Sequence, residues 1–151
     1  MASDARYRTK YYLDYYWVSG NATNDDSNPL MVQTMYAYPE YPLEYEFKSP
    51  SNKDVIIAID QPNSKPMMDP VTEAPYGYEE HVPIEIISVD KGNVTATKAI
   101  WQAEAEVRRI LEENPTGSLR SVEQISGATR RLGSTTLWSA KYVWNYRRDT
   151  L

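Results

Sequence analysis

Glu80-His-Val-Pro-Ile-Glu-Ile-Ile-Ser-Val-Asp90, followed after Lys91-Gly92-Asn93 by the stretch from Thr95 to Asn114, decides how this chain folds. In the first stretch Val82, Ile84 and Ile86 share one face of an extended chain, and Ile87 and Val89 share the other. Pro83 suits an edge position or the start of the strand. Lys91-Gly92-Asn93 turns the chain, and the apolar period then changes. Over about 95–114, Ile100, Ala103, Val107, Ile110 and Leu111 recur at helical spacing, while Glu104, Glu106, Arg108, Glu112 and Glu113 mostly take the opposite face. Thr95 or Thr97 can cap the helix, and Asn114-Pro115 stops it. Trp101 lies beside the apolar stripe and is expected to pack at its edge.

Upstream, Asp54-Val-Ile-Ile-Ala-Ile-Asp60 is a β-branched run with a charge at each end, read as a strand covered on both faces. Downstream, residues 118–131 and 135–148 read as a hairpin turning at Leu132-Gly133-Ser134. Alternation puts Trp138, Ala140, Tyr142, Trp144 and Tyr146 on one face of its second strand, and Ser126-Gly127 would bulge or break the first. Residues 1–19 fit two patterns. Tyr7, Tyr11, Tyr15 and Val18 would line a helix face, and Tyr7, Tyr11, Leu13, Tyr15 and Trp17 a strand face. Propensity leans towards strand, and the choice stays open.

Nine of the ten prolines fall between Pro29 and Pro83, which marks the middle of the chain as loop. Two long loops are expected, at about 20–47 and 61–78, both rich in Tyr, Met and Pro. Loops of that length are uncommon in compact domains unless they are functional or disordered. Either they order against a neighbouring molecule or they are plainly disordered.

With 151 residues and 25% of them charged, the chain suits one domain over 1–151. It has no cysteine, which excludes disulfide scaffolds, thiolate metal sites and a cysteine nucleophile. Its single histidine, His81, excludes paired-histidine metal motifs. No cofactor and no metal are expected. Thirteen Tyr and four Trp stand against one Phe, a skew that favours rings at wet boundaries. The start of the chain has no apolar run of signal-peptide type, and the longest apolar stretch, 55–59, is far short of a membrane span; a soluble protein away from membranes is expected. The sequons at Asn21 and Asn93 are then chance matches.

The net charge of −5 is unevenly placed: −9 over residues 1–90 and +4 over 91–151. A basic half can contact nucleic acid, or acidic and basic faces can meet across copies of one protein. The second reading is preferred because Arg108–Arg109, Arg130–Arg131 and Arg147–Arg148 are separated pairs and not a polybasic run.

Chemistry-bearing constellations are weak. Glu44/Glu46 and Glu79/Glu80 fall in or beside the expected loops, where a glycosidase carboxylate pair could not be held at a set separation. Asn24-Asp-Asp-Ser-Asn28 lacks the glycine and the bidentate glutamate of a calcium loop. His81 has no nucleophile in a recognisable setting. Lys91-Gly92-Asn93-Val94 lacks the remainder of a phosphate loop. Arg6-Tyr-Arg-Thr-Lys-Tyr-Tyr12 and Tyr142-Val-Trp-Asn-Tyr-Arg-Arg148 interleave cations with rings as single-strand binders do, but a pI near 4.9 gives no general basic field.

The element order points to an α+β domain: a mainly antiparallel sheet packed against one long amphipathic helix, with long Pro/Tyr-rich loops. Tyr78–Asp90, the helix ending Glu106-Val-Arg-Arg-Ile-Leu-Glu-Glu-Asn114, and the aromatic last strand are together similar to the tail-terminator (tail-completion) proteins of long-tailed viruses. The resemblance covers roughly 54–148, and the Pro/Tyr arm at 29–47 departs from the family's minimal domain. It implies a non-enzymatic ring, usually a hexamer, that stops tail-tube growth and joins the tube to the neck. The implied partners are other copies of the chain, the tube and the neck or connector proteins, with DNA only as passing cargo. The implied location is the virion, after assembly in the host cytoplasm. On this reading Tyr36, Tyr38, Tyr41 and Tyr45 contact a neighbour, and Arg130 and Arg131 meet its acidic residues. Two other readings stand beside it: a neck or head-completion protein, and a single-stranded nucleic-acid or accessory DNA-binding module using the face of 138–148.

Overall fold

The computed structural model describes residues 5–37, 53–113, 117–132 and 135–149, with the side chains of Gly117, 128–132, Thr135 and Asp149 excepted. Its elements are α1 (Ala5–Tyr16), a 3-10 turn (Ser19–Asn21), β1 (Val32–Tyr36), β2 (Val55–Ile59), β3 (Asn63–Met68), β4 (Pro75–Ser88), α2 (Ala96–Glu113), β5 (Gly117–Leu132) and β6 (Thr135–Asp149). This is an α+β fold. The sheet runs β1-β2-β4-β6-β5, and β3 also pairs with β4. It is mixed, because β1 lies parallel to β2 while the other pairs are antiparallel.

β4 is the axis of the sheet. Along one edge it pairs with β6 from Gly77 to Ser88; along the other it pairs first with β3 over Pro75–His81 and then with β2 over Ile84–Ser88. Pro83 falls between those two partners, and its carbonyl accepts from the Asp60 N–H at 3.0 Å. In a strand the N and O of one residue point the same way, so the missing N–H of Pro83 faces the junction and costs no ladder bond.

Alternation assigns the faces. Val55, Ile57, Ile59, Val82, Ile84, Ile86, Ala140 and Trp144 form one core with Ile100, Ala103, Val107, Ile110 and Leu111 of α2 and with Ala5 and Leu13 of α1. Ile56, Ala58, Ile87, Val89, Leu137 and Met35 form a second buried cluster on the other face. All five residues of β2 are therefore buried, each larger one contributing roughly 1.5–3 kcal/mol. Trp144 is fully buried, stacked on Tyr146 at 4.3 Å, and its indole N–H donates to the Leu111 carbonyl at 3.0 Å.

Five expectations change. Residues 61–78 are not a loop: Lys65-Pro-Met-Met68 pairs with Pro75–Glu79, because both prolines lie where β3 is an outer strand. Within 20–47, the described part holds the 3-10 turn and β1; residues 38–47 lie outside the described residues. Among the described residues there are two α-helices and not one, since the ambiguous N-terminal segment is helical. Trp101 is 70% exposed and does not pack at the stripe's edge. The helix cap also differs: Thr95 Oγ1 donates to Asp25 at 2.8 Å, and the Ala96 N–H is taken by the Asp90 carboxylate at 2.8 Å. The C-terminal hairpin forms as read, with register shifts on both sides of Ser126-Gly127.

Candidate subunit interface

α1 buries its small residues and shows its large ones. Ala5, Thr9 and Leu13, four apart, face the core, and Thr9 Oγ1 donates back to the Ala5 carbonyl at 2.7 Å. The same spacing then sets Tyr7, Tyr11 and Tyr15 on the opposite side, 50%, 56% and 66% exposed. Tyr11 and Tyr15 stack at 5.5 Å with 17° between their planes, and Tyr15 meets Tyr16 edge-on at 4.9 Å. Tyr7 packs edge-on against Tyr36 of β1 at 5.2 Å. Tyr12 reaches inward to Trp144 at 6.3 Å, and the Arg8 guanidinium lies 5.7 Å from the Tyr146 ring centre. Tyr7, Arg8, Tyr11 and Tyr12 border an open hollow of about 290 Å³.

Glu106 of α2 fixes how α1 leaves the sheet. Its buried carboxylate accepts from the Val18 N–H at 2.8 Å and from Asn21 Nδ2 at 2.9 Å, just past the C-terminus of α1. Burial pushes this carboxyl up, but the hydrogen bonds from Arg109, Val18 and Asn21 and the Arg109 charge outweigh it and hold the group below the usual carboxylate range.

A second exposed apolar feature is the turn between β3 and β4. Met68, Val71 and Tyr76 are all exposed there, Val71 at 87%. The turn is internally bonded. Asp69 Oδ1 accepts from the Val71 and Thr72 N–H groups at 2.8 and 3.3 Å, and the Glu73 N–H donates to the Asp69 carbonyl at 2.8 Å. Glu73 adopts φ 57°, the left-handed conformation that closes the turn.

Of the six residues expected at an interface, Tyr36 is placed in β1, half-buried against Tyr7, with Arg6 5.9 Å from its ring centre. Tyr38, Tyr41 and Tyr45 lie outside the described residues. Arg130 and Arg131 lie on β5 near the β5–β6 turn, and their side chains are outside the described set. What residue types alone did not single out is the hairpin tip at 69–74. The tyrosine spacing on α1 was visible, but only packing shows that its small-residue face is the buried one.

Other constellations separate on inspection. Glu79 and Glu80 are adjacent on a strand and so point to opposite faces. Glu80 is buried and bonded to Arg148 at 2.9 Å and Ser64 at 2.5 Å, while Glu79 pairs with His81 at 3.4 Å on the other side. Asn24 Oδ1 accepts from the Asp26 and Asn28 N–H groups, a turn-closing role. Tyr142, Trp144 and Tyr146 are buried, so the ring face of the last strand is not open to a nucleic-acid strand. Among the described residues no group of three His, Cys, Asp or Glu is placed to hold a metal ion. None of their helices is long and apolar enough to cross a membrane. No protein-family model matches this chain, and no curated protein matches it.

Proposed function

We propose that this chain is a non-enzymatic structural protein whose copies close into a ring, and that the ring is a tail terminator of the kind its sequence resembles. It would end the tail tube and join it to the neck of a long-tailed virus. One observation carries the ring. Among its described residues the chain exposes a tyrosine ladder along α1 and, apart from it, an internally bonded apolar hairpin tip, two features that differ in shape. Surfaces of that kind associate head to tail, and head-to-tail contacts close into rings when the rotation permits. The terminator assignment is supported by the strand–helix–hairpin order over 75–149, the order on which the resemblance rests.

The test is negative-stain microscopy of the purified chain, alone and mixed with tail tubes. The expected result is rings of one diameter, alone or seated on tube ends. Tubes whose ends stay bare and whose length is unaffected by the chain would overturn the terminator assignment. A single chain mass at every concentration, with and without tubes, would overturn the ring.

A further inference from the structure

We infer that the contact between neighbouring copies is the β3–β4 tip of one copy seated in the α1 hollow of the next, with Val71 as the knob and Tyr7 and Tyr11 as the walls. The inference rests on the ring reading and names the surfaces that would make it.

The two features match in three respects. Their apolar chemistry is complementary: an aliphatic knob flanked by Met68 and Pro70 meets tyrosine rings, which give large contact area at low entropic cost. Their charges are opposite. Residues 69–76 carry Asp69 and Glu73 and no cation, while α1 carries Arg6, Arg8 and Lys10 against Asp14 alone. Such opposition steers encounter and rejects a tip-to-tip or ladder-to-ladder pairing. Both partners are also preorganised. The tip is held by the Asp69 bonds and the ladder by the Tyr11–Tyr15 stack, so little freedom is lost on docking.

A single chain cannot satisfy itself in this way, since Val71 and Tyr11 are each more than half exposed in it. A second copy supplies both surfaces in the required stoichiometry. The occupant is therefore another copy of this chain.

Two substitutions at exposed positions test the pairing: Val71→Asp spoils the tip and Tyr11→Glu spoils the ladder. Each variant alone is expected to associate about thirtyfold or more weakly than the wild type, as for an interface anchor, with its far-ultraviolet circular dichroism unchanged. Mixed in equal amounts, they retain one intact tip and one intact ladder between them, and are expected to form a dimer that grows no further. Tyr11→Phe keeps the ring and is expected to assemble normally. Rings from either charged variant, or a mixture that stays monomeric, overturn the tip-and-ladder contact; the first of these leaves the ring reading standing. A wild type that is monomeric throughout overturns both.

Discussion

The Glu106 carboxylate grips Arg109, three residues further along α2, through both its oxygens: Nε lies 2.8 Å from Oε1 and Nη2 2.8 Å from Oε2. Arg109 Nη2 also donates to the Tyr16 carbonyl at 2.9 Å. With the Val18 and Asn21 bonds, this pair ties the C-terminal end of α1 to α2 and so sets the ladder in place.

Glu106→Gln weakens the clamp by removing the charge and leaving one donor facing the guanidinium. The variant is expected to lose about 2 kcal/mol in urea unfolding at neutral pH. Because the folded carboxyl lies below its ordinary value of 4.5, the wild-type contribution is complete above that pH and drains away as pH falls through the folded value. The wild type should therefore lose its advantage over Glu106→Gln in acid.

Trp144 and Tyr146 stack, yet their polar atoms fare differently. Trp144→Phe removes the bond to Leu111 and leaves a void, at an expected cost of about 2–3 kcal/mol. Among the described residues the buried Tyr146 hydroxyl has no hydrogen-bond partner. Tyr146→Phe is therefore expected to be neutral, or to stabilise by up to about 1 kcal/mol, in the same unfolding experiment.

Tyr142 is expected to stay protonated in alkali. Burial pushes its hydroxyl up to about 12, with the Glu104 charge adding and Arg108 opposing. Its contribution to stability is complete below the ordinary value of 10.0 and is lost as pH rises to about 12. Burial also raises the Tyr146 hydroxyl, so an absorbance titration should show fewer tyrosines ionised near pH 11 in the folded wild type than in the unfolded chain, and Tyr142→Phe should narrow the difference. Tyr142→Phe should flatten the fall in stability across that range.

Asp90 caps α2 from the end of β4, across the Lys91–Val94 turn. Asp90→Ala is expected to cost about 1 kcal/mol, whereas Thr97→Ala should leave the cap intact; thermal unfolding of the pair separates them.

How far the chain could be read in advance followed physical rules. β2, β4, α2 and the β5–β6 hairpin were legible because each buries a regular apolar period, with β2 apolar throughout and α2 striped. β3 was not, because Pro66 and its polar neighbours carry no strand pattern, and only pairing to β4 makes it one. α1 was hidden by its tyrosines, whose strand propensity is overridden by Ala5, Thr9 and Leu13 closing on the core. The same inversion hid the candidate interface. Large aromatic residues at helical spacing usually mark a buried face, and here they mark the open one. The tip carries only turn residues and one valine, so its role depends on where β3 and β4 project it.

Native mass spectrometry of the intact assembly reads the ring directly. At micromolar concentration and low salt, one closed species at six times the 17.4 kDa chain mass is expected, falling to the chain mass in Val71→Asp. A wild type that stays at the chain mass under those conditions and in the presence of tail tubes, or one that forms a continuous ladder of open oligomers, would contradict it.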